Sequence, residues 1–152
     1  MNAPPTTSTR SRQARSPLPD GAVFELVPLE RLRPHEEIVP SVLDEVLSDL
    51  KREGGLREPI LVAREGYVVL NGHHRLAALS RMGARRIPAW VIDYLSDAVD
   101  LERWPDSPYP GKVTKQEVLA HARASKLLPP KTTRHTLRLA LPAKMTPIGD
   151  LL

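Results

Sequence analysis

The segment Leu70-Asn71-Gly72-His73-His74-Arg75 constrains the fold more than any other, because a strand must hand over directly to a helix there. Before it, Ile60-Leu61-Val62 and Tyr67-Val68-Val69-Leu70 are two β-rich runs around Arg64-Glu65-Gly66, the pattern of a β-hairpin. After it, Leu76, Ala77, Leu79 and Met82 recur at helical spacing up to a stop at Gly83. A glycine turn that opens a helix gathers unpaired backbone N–H groups and the positive end of the helix dipole at one point. With two imidazoles and a guanidinium beside it, that point suits phosphate oxygens; a solvated polar turn is the plainer alternative.

The rest of the chain supplies elements to pack around this junction. Phe24-Glu25-Leu26-Val27 reads as a first strand and Pro28 to Leu32 as a short helical turn, followed by a loop at Arg33-Pro34-His35-Glu36, since Pro34 biases its predecessor away from helix. Ser41 is the expected N-cap of a helix to about Arg52, with Val42, Leu43, Val46, Leu47 and Leu50 on one stripe and Gly54-Gly55 as its end. Ile87 to Tyr94 contains a further strand. Beyond Ser96, a proline-rich irregular segment carries Trp104 and Tyr109. The Thr114-Lys115-Gln116-Glu117 capping box then opens a helix to about Leu128, ended by Pro129-Pro130. Lys131 to His135 reads as a basic loop, and Leu137, Leu139 and Leu141 alternate like an edge strand. The expected organisation is a disordered basic tail over 1–19, one α/β (α+β) domain over 20–141 with a small mixed sheet flanked by helices, and a frayed C-terminal tail over 142–152.

Composition closes off several classes of chemistry. The 152 residues include no cysteine, which excludes disulfides, thiolate metal sites and thiol chemistry. No apolar run reaches the roughly 18–20 residues needed to span a bilayer, and the N-terminus lacks a secretory core, so a soluble cytoplasmic protein without a membrane partner is expected. The net charge is +4, but Arg10, Arg12 and Arg15 in the acid-free first 19 residues account for three of those charges. The remainder is close to neutral, so nucleic acid is not the partner first inferred. No GxxxxGK[ST] or GxGxxG occurs, which leaves a P-loop or dinucleotide site unsupported.

Three polar clusters fall in expected loops: Pro34-His35-Glu36-Glu37, Asn71 to Arg75, and Lys131-Thr132-Thr133-Arg134-His135. An acid, a helix-terminus anion site and a basic hydroxyl-rich loop are a set that phosphoryl transfer can use. The carboxylate takes the proton of an attacking hydroxyl, while cations and N–H donors hold the charge on the transferring phosphate oxygens. Each cluster also has a plainer reading as solvated loop. His73 and His74 do not form a metal pair, because adjacent residues at a helix start point about 100° apart and no spaced partner accompanies them. Trp104 either caps the core or walls a small pocket.

Phe24 to Tyr94, with its Gly72-His73-His74-Arg75 loop, resembles the ParB N-terminal/sulfiredoxin-like fold, in which such loops bind nucleotide phosphates. Sulfiredoxin chemistry needs a cysteine where this chain has His73. ParB partition proteins add a helix-turn-helix and a dimerisation domain, for which this chain is too short. Residues 22–138 are more similar to the free L-serine kinases of the same fold, through Arg33-Pro34-His35-Glu36, Gly72 to Arg75, Asp93-Tyr94 with Ser96-Asp97, Trp104, and Pro130 to His135.

That resemblance implies transfer of a phosphoryl group from ATP or ADP, carried as the Mg²⁺ complex, to the hydroxyl of a free amino acid, L-serine or L-threonine. By the same resemblance Glu36 is the catalytic base. Gly72, His73, His74 and Arg75 form the phosphate loop together with Asn71, and Lys131, Thr132, Thr133, Arg134 and His135 form a second phosphate-contacting loop. Trp104 and His35 go to the acceptor pocket. Asn71 stands where several of these kinases carry Asp, so Mg²⁺ is expected with the nucleotide, near Asn71, and not on a protein-only site. Two alternatives stand beside this one: a ParB-like nucleotide-binding regulator that contacts DNA through the basic tail, and a non-catalytic binding member of the fold.

Overall fold

Ile60-Leu61-Val62-Ala63 shows how the architecture arises, since a strand sends alternate side chains to opposite faces of its sheet. Ile60 and Val62 enter one hydrophobic cluster with Val27, Val69, Ile87 and Val91. Leu61 and Ala63 enter a second cluster with Phe24, Trp90, Ile92 and Tyr94. All four residues are buried, so both faces of the sheet must be covered. The computed structural model describes residues 15–17, 21–107, 109–138 and 140–152.

The main sheet contains β1 (Arg15–Pro17), β2 (Val23–Pro28), β4 (Ile60–Ala63), β5 (Val69–Asn71) and β6 (Arg86–Ile92). Its order is β1-β2-β6-β4-β5, with β4 and β6 parallel and the other neighbours antiparallel. The β4–β5 hairpin carries a register shift at Leu61/Val62. α1 (Pro40–Glu53) and α2 (His73–Arg81) cover one face, burying Leu43, Leu50, Ala78 and Leu79. α3 (Lys115–Arg123) covers the other with Val118 and Ala122. The result is a mixed α/β fold of three layers.

Several sequence expectations change at their edges. Arg15–Pro17, expected within the disordered tail, is a strand that pairs with Val23–Glu25; the rest of the segment 1–19, including Arg10 and Arg12, lies outside the described residues. α1 begins at Pro40, with Val39 as N-cap and no side-chain cap, so Ser41 lies inside the helix. The capping box of α3 forms as read, but the helix ends at Arg123. Leu128 is needed elsewhere: its N–H donates to the His35 carbonyl at 2.8 Å and its own carbonyl accepts from Glu37 N–H at 2.8 Å.

The stretch beyond Ser96 contains β7 (Val99–Glu102), which pairs with β8 (Arg134–Leu137), so Arg134 and His135 sit in a strand and not in a loop. Of the expected Leu137–Leu141 edge strand only Leu137 is in a strand, and Leu139 lies outside the described residues. The C-terminus is not frayed. β9 (Thr146–Pro147) pairs with β3 (Gly55–Leu56), and Leu151 is fully buried while its carbonyl accepts from Arg85 and Arg86 N–H.

Candidate active site

Gly72 ends β5 and caps α2 with φ +119°, a conformation that side-chain-bearing residues rarely adopt. A Cβ there would also lie 2.7 Å from Ile60 Cβ, so the turn can run against β4 only as glycine. This close approach aims the first free N–H groups of the nine-residue α2 out past the end of β5.

The two imidazoles that follow are tied to the acid loop. His73 Nε2 accepts from His35 N–H at 3.2 Å, and His74 Nε2 accepts from Val39 N–H at 2.9 Å. A nitrogen that accepts cannot also carry a proton, so each ring is neutral with its hydrogen on Nδ1. Burial, with the neighbouring imidazoles His35, His135 and His74, drives His73 well below the usual histidine range; burial alone lowers His74. The two rings thus line the cleft as neutral imidazoles and not as cations.

Glu36 faces this helix end from a nest of donors. Its Oε1 accepts from Thr133 N–H at 3.0 Å and Thr133 Oγ1–H at 2.8 Å, and its Oε2 accepts from Lys131 N–H at 3.1 Å. Lys131 sits at φ +63°, the left-handed turn that curls these N–H groups around one carboxylate. Burial raises the Glu36 pKa and the Thr133 and Lys131 donors oppose the rise.

Glu36, Glu37, Asn71, Gly72, His73, His74, Lys131, Thr133, Asp106 and Trp104 line one cleft of about 470 Å³. The three clusters expected to meet do meet. Trp104 forms a wall, 37% exposed, with Nε1–H donating to the Thr133 carbonyl at 2.8 Å and the Arg134 guanidinium stacked 4.9 Å from its ring. Asp106 had no signal in the sequence beyond its closeness to Trp104; its carboxylate is 3.7 Å from Lys131 Nζ.

Four expected site residues are placed differently. His35 is completely buried behind Glu36, with Nδ1 on the Val69 carbonyl at 2.8 Å and Nε2 on Thr133 Oγ1 at 2.9 Å, so it cannot touch an acceptor. Arg75 donates to the carbonyls of Glu58 and Pro59, away from the cleft. Thr132 is buried with its hydroxyl on the Pro129 carbonyl. His135 Nε2 meets Tyr94 Oη at 2.8 Å, and burial lowers its pKa to about 3. In each case a backbone or core partner claims the polar group, which composition and spacing cannot reveal. Among the described residues no group of three or more His, Asp or Glu side chains is arranged to hold a metal ion, and no helix is long and apolar enough to cross a membrane.

A mixed sheet whose hairpin delivers a glycine turn to a helix N-terminus, facing an acid loop, defines a mixed α/β domain with its cleft at the strand–helix turn. The family model for the ParB N-terminal domain matches residues 14–102, more than half of the chain, and the protein belongs to that family. It is 39% identical over 83 residues to an ATP-dependent L-serine kinase of Staphylothermus marinus, a match covering 52% of this chain and 33% of that protein. It is 38% identical over 89 residues to a ParB-like protein of Sulfolobus acidocaldarius, covering 55% and 44%. The chain therefore spans under half the length of these relatives. A solved free serine kinase in complex with AMP superposes with a TM-score of 0.78 over 85% of this chain and 93% of that one; at 18% identity this shows a shared fold.

Proposed function

We propose that the protein is a small-molecule kinase that moves a phosphoryl group from ATP or ADP to the hydroxyl of a free amino acid, L-serine or L-threonine. The observation that carries this reading is the convergence of Glu36 with the N-terminus of α2: the residue before Glu36 donates its N–H to the first imidazole of that helix. The sequence likeness to L-serine kinases over half the chain supports the choice of acceptor.

Phosphoryl transfer asks little covalent chemistry of a protein and much positioning. In the proposed reaction the acceptor oxygen bonds to phosphorus as the phosphorus–leaving-oxygen bond breaks, with the bond pair staying on the nucleotide. The hydroxyl proton passes to Glu36. The N–H groups opening α2 and the Lys131 ammonium face the charge spread over phosphate oxygens. Mg²⁺ would arrive with the nucleotide and neutralise phosphate charge, and the neutral Asn71 side chain, which lines the cleft, is the phosphate-turn residue that would support it.

The test is incubation with ATP, ADP and CTP against a panel of hydroxy amino acids, read by phosphorus NMR. A phosphomonoester of serine or threonine is expected. Glu36→Gln should lower turnover by about two orders of magnitude or more while nucleotide binding stays within a few-fold. Full activity in that variant removes Glu36 from the mechanism. Nucleotide binding with no transfer to any acceptor, accompanied by DNA retention in a gel shift, would favour the regulator.

A further inference from the structure

The Thr133 hydroxyl has one proton and two acceptors. It lies 2.8 Å from Glu36 Oε1 and 2.9 Å from His35 Nε2. The far side of the imidazole fixes the count. His35 Nδ1 is 2.8 Å from the Val69 carbonyl, which can only accept, so Nδ1 carries the ring hydrogen and Nε2 presents a lone pair. The chain Val69 carbonyl, His35, Thr133, Glu36 therefore has three hydrogen-bond contacts. With Glu36 ionised and His35 neutral it holds two protons. One contact is unmet in that state, and a buried unmet acceptor is costly.

The missing proton does not settle on His35. The ring is fully buried, and burial takes its pKa down to about 4. The rings of His73 and His135 pack edge-on against it at 4.7 and 5.7 Å. Around Glu36 the remaining ionisable groups are His73, His74, Glu37, Lys131 and Asp106 across the cleft.

We infer that Thr133 is a hydroxyl switch, a positioning residue that donates to the ionised Glu36 and limits the cost of protonating it by turning to His35 once Glu36 is protonated. An ionised carboxylate outcompetes a neutral imidazole for the hydroxyl hydrogen, because hydrogen bonds to charged groups are the stronger ones. When Glu36 takes up a proton it becomes a weaker acceptor, and the hydroxyl rotates so that Thr133 Oγ1–H donates to His35 Nε2. The backbone N–H groups of Thr133 and Lys131 stay on the carboxyl throughout. The buried imidazole thus rewards the protonated state without ever touching a substrate. As a step in catalysis this rests on the kinase reading: the proton leaves the acceptor hydroxyl, ends on the Glu36 carboxyl, and the network closes behind it.

Nitrogen-15 histidine and carbon-13 glutamate NMR titration of the full chain tests this independently of activity. In the wild type, His35 Nε2 should move upfield at the same pH at which the Glu36 carboxyl titrates. The movement should be that of a nitrogen gaining a hydrogen bond, far short of imidazolium formation. Thr133→Val should abolish the His35 response while Glu36 still titrates, and raise the Glu36 midpoint by ~0.5–1 unit through loss of a donor. Thr133→Ser should restore both. An invariant His35 signal across the Glu36 transition, or full imidazolium formation in that range, overturns the switch. If phosphorus NMR detects no transfer but the two signals move together, the kinase reading falls and the switch stands. If transfer occurs without coupling, the reverse holds.

Discussion

Acidification should unfold this protein well before its carboxylates are neutralised. His35, His73 and His135 lie together in the interior, with ring centroids 4.7 and 5.7 Å from His35, and three imidazoles this close cannot all be charged. Burial lowers His35 to about 4 and His135 to about 3, from an unfolded value of 6.5. A depressed histidine pKa means that below pH 6.5 the unfolded chain binds protons the folded chain refuses. The stability these groups contribute is therefore complete above that pH and drains away as pH falls toward 4.

For each of the two, the loss between pH 7 and 4.5 works out at about 2.5 kcal/mol, so roughly 5 kcal/mol together. His73, also depressed, adds in the same sense, whereas Glu36, whose pKa is raised, binds a proton in the folded state and opposes it. The total stability of a domain of this size is on the order of 5–15 kcal/mol, so most of it is at stake. Urea unfolding followed by fluorescence of the buried Trp90 at pH 7, 5.5 and 4.5 measures the slope. An unchanged urea midpoint across that range refutes the reasoning, because paired carboxylates alone act mainly below it.

Two further perturbations bear on how the cleft is held. Gly72→Ala should cost about 2–4 kcal/mol, from the positive φ and the contact with Ile60, and should weaken nucleotide binding because the start of α2 shifts; calorimetric titration and a thermal melt report both. Leu151→Ala should destabilise by about 2–4 kcal/mol in urea, since that side chain is fully buried in the α1–α2 core; a neutral result would return the C-terminus to the frayed state read from its sequence.

Local pattern was enough for the elements that depend on neighbours in the chain. The β4–β5 hairpin, the glycine-opened α2, the α3 capping box and the three polar clusters are all legible because their causes lie within a few residues of one another. Glu36 as the candidate base comes instead from the resemblance to the serine kinases, since a single loop acid has no local pattern to mark it. The short β7–β8 pair, the docked C-terminus and the early end of α3 were not legible. Each is decided by a distant partner: Arg134–Leu137 for Val99–Glu102, Gly55–Leu56 for Thr146–Pro147, and the His35–Glu37 backbone for Leu128.

The sequence by itself therefore determined which chemical groups this protein owns and which short segments carry them: one loop acid, one phosphate-ready helix start, one hydroxyl-rich basic turn. Only the tertiary structure decided the state of those groups. His73 and His74 are neutral because backbone N–H groups reach their nitrogens, Arg75 is spent on two carbonyls, and His35 stands behind Glu36 with no exposed surface. Protonation and access are set by partners tens of residues away, and a linear pattern holds no record of them.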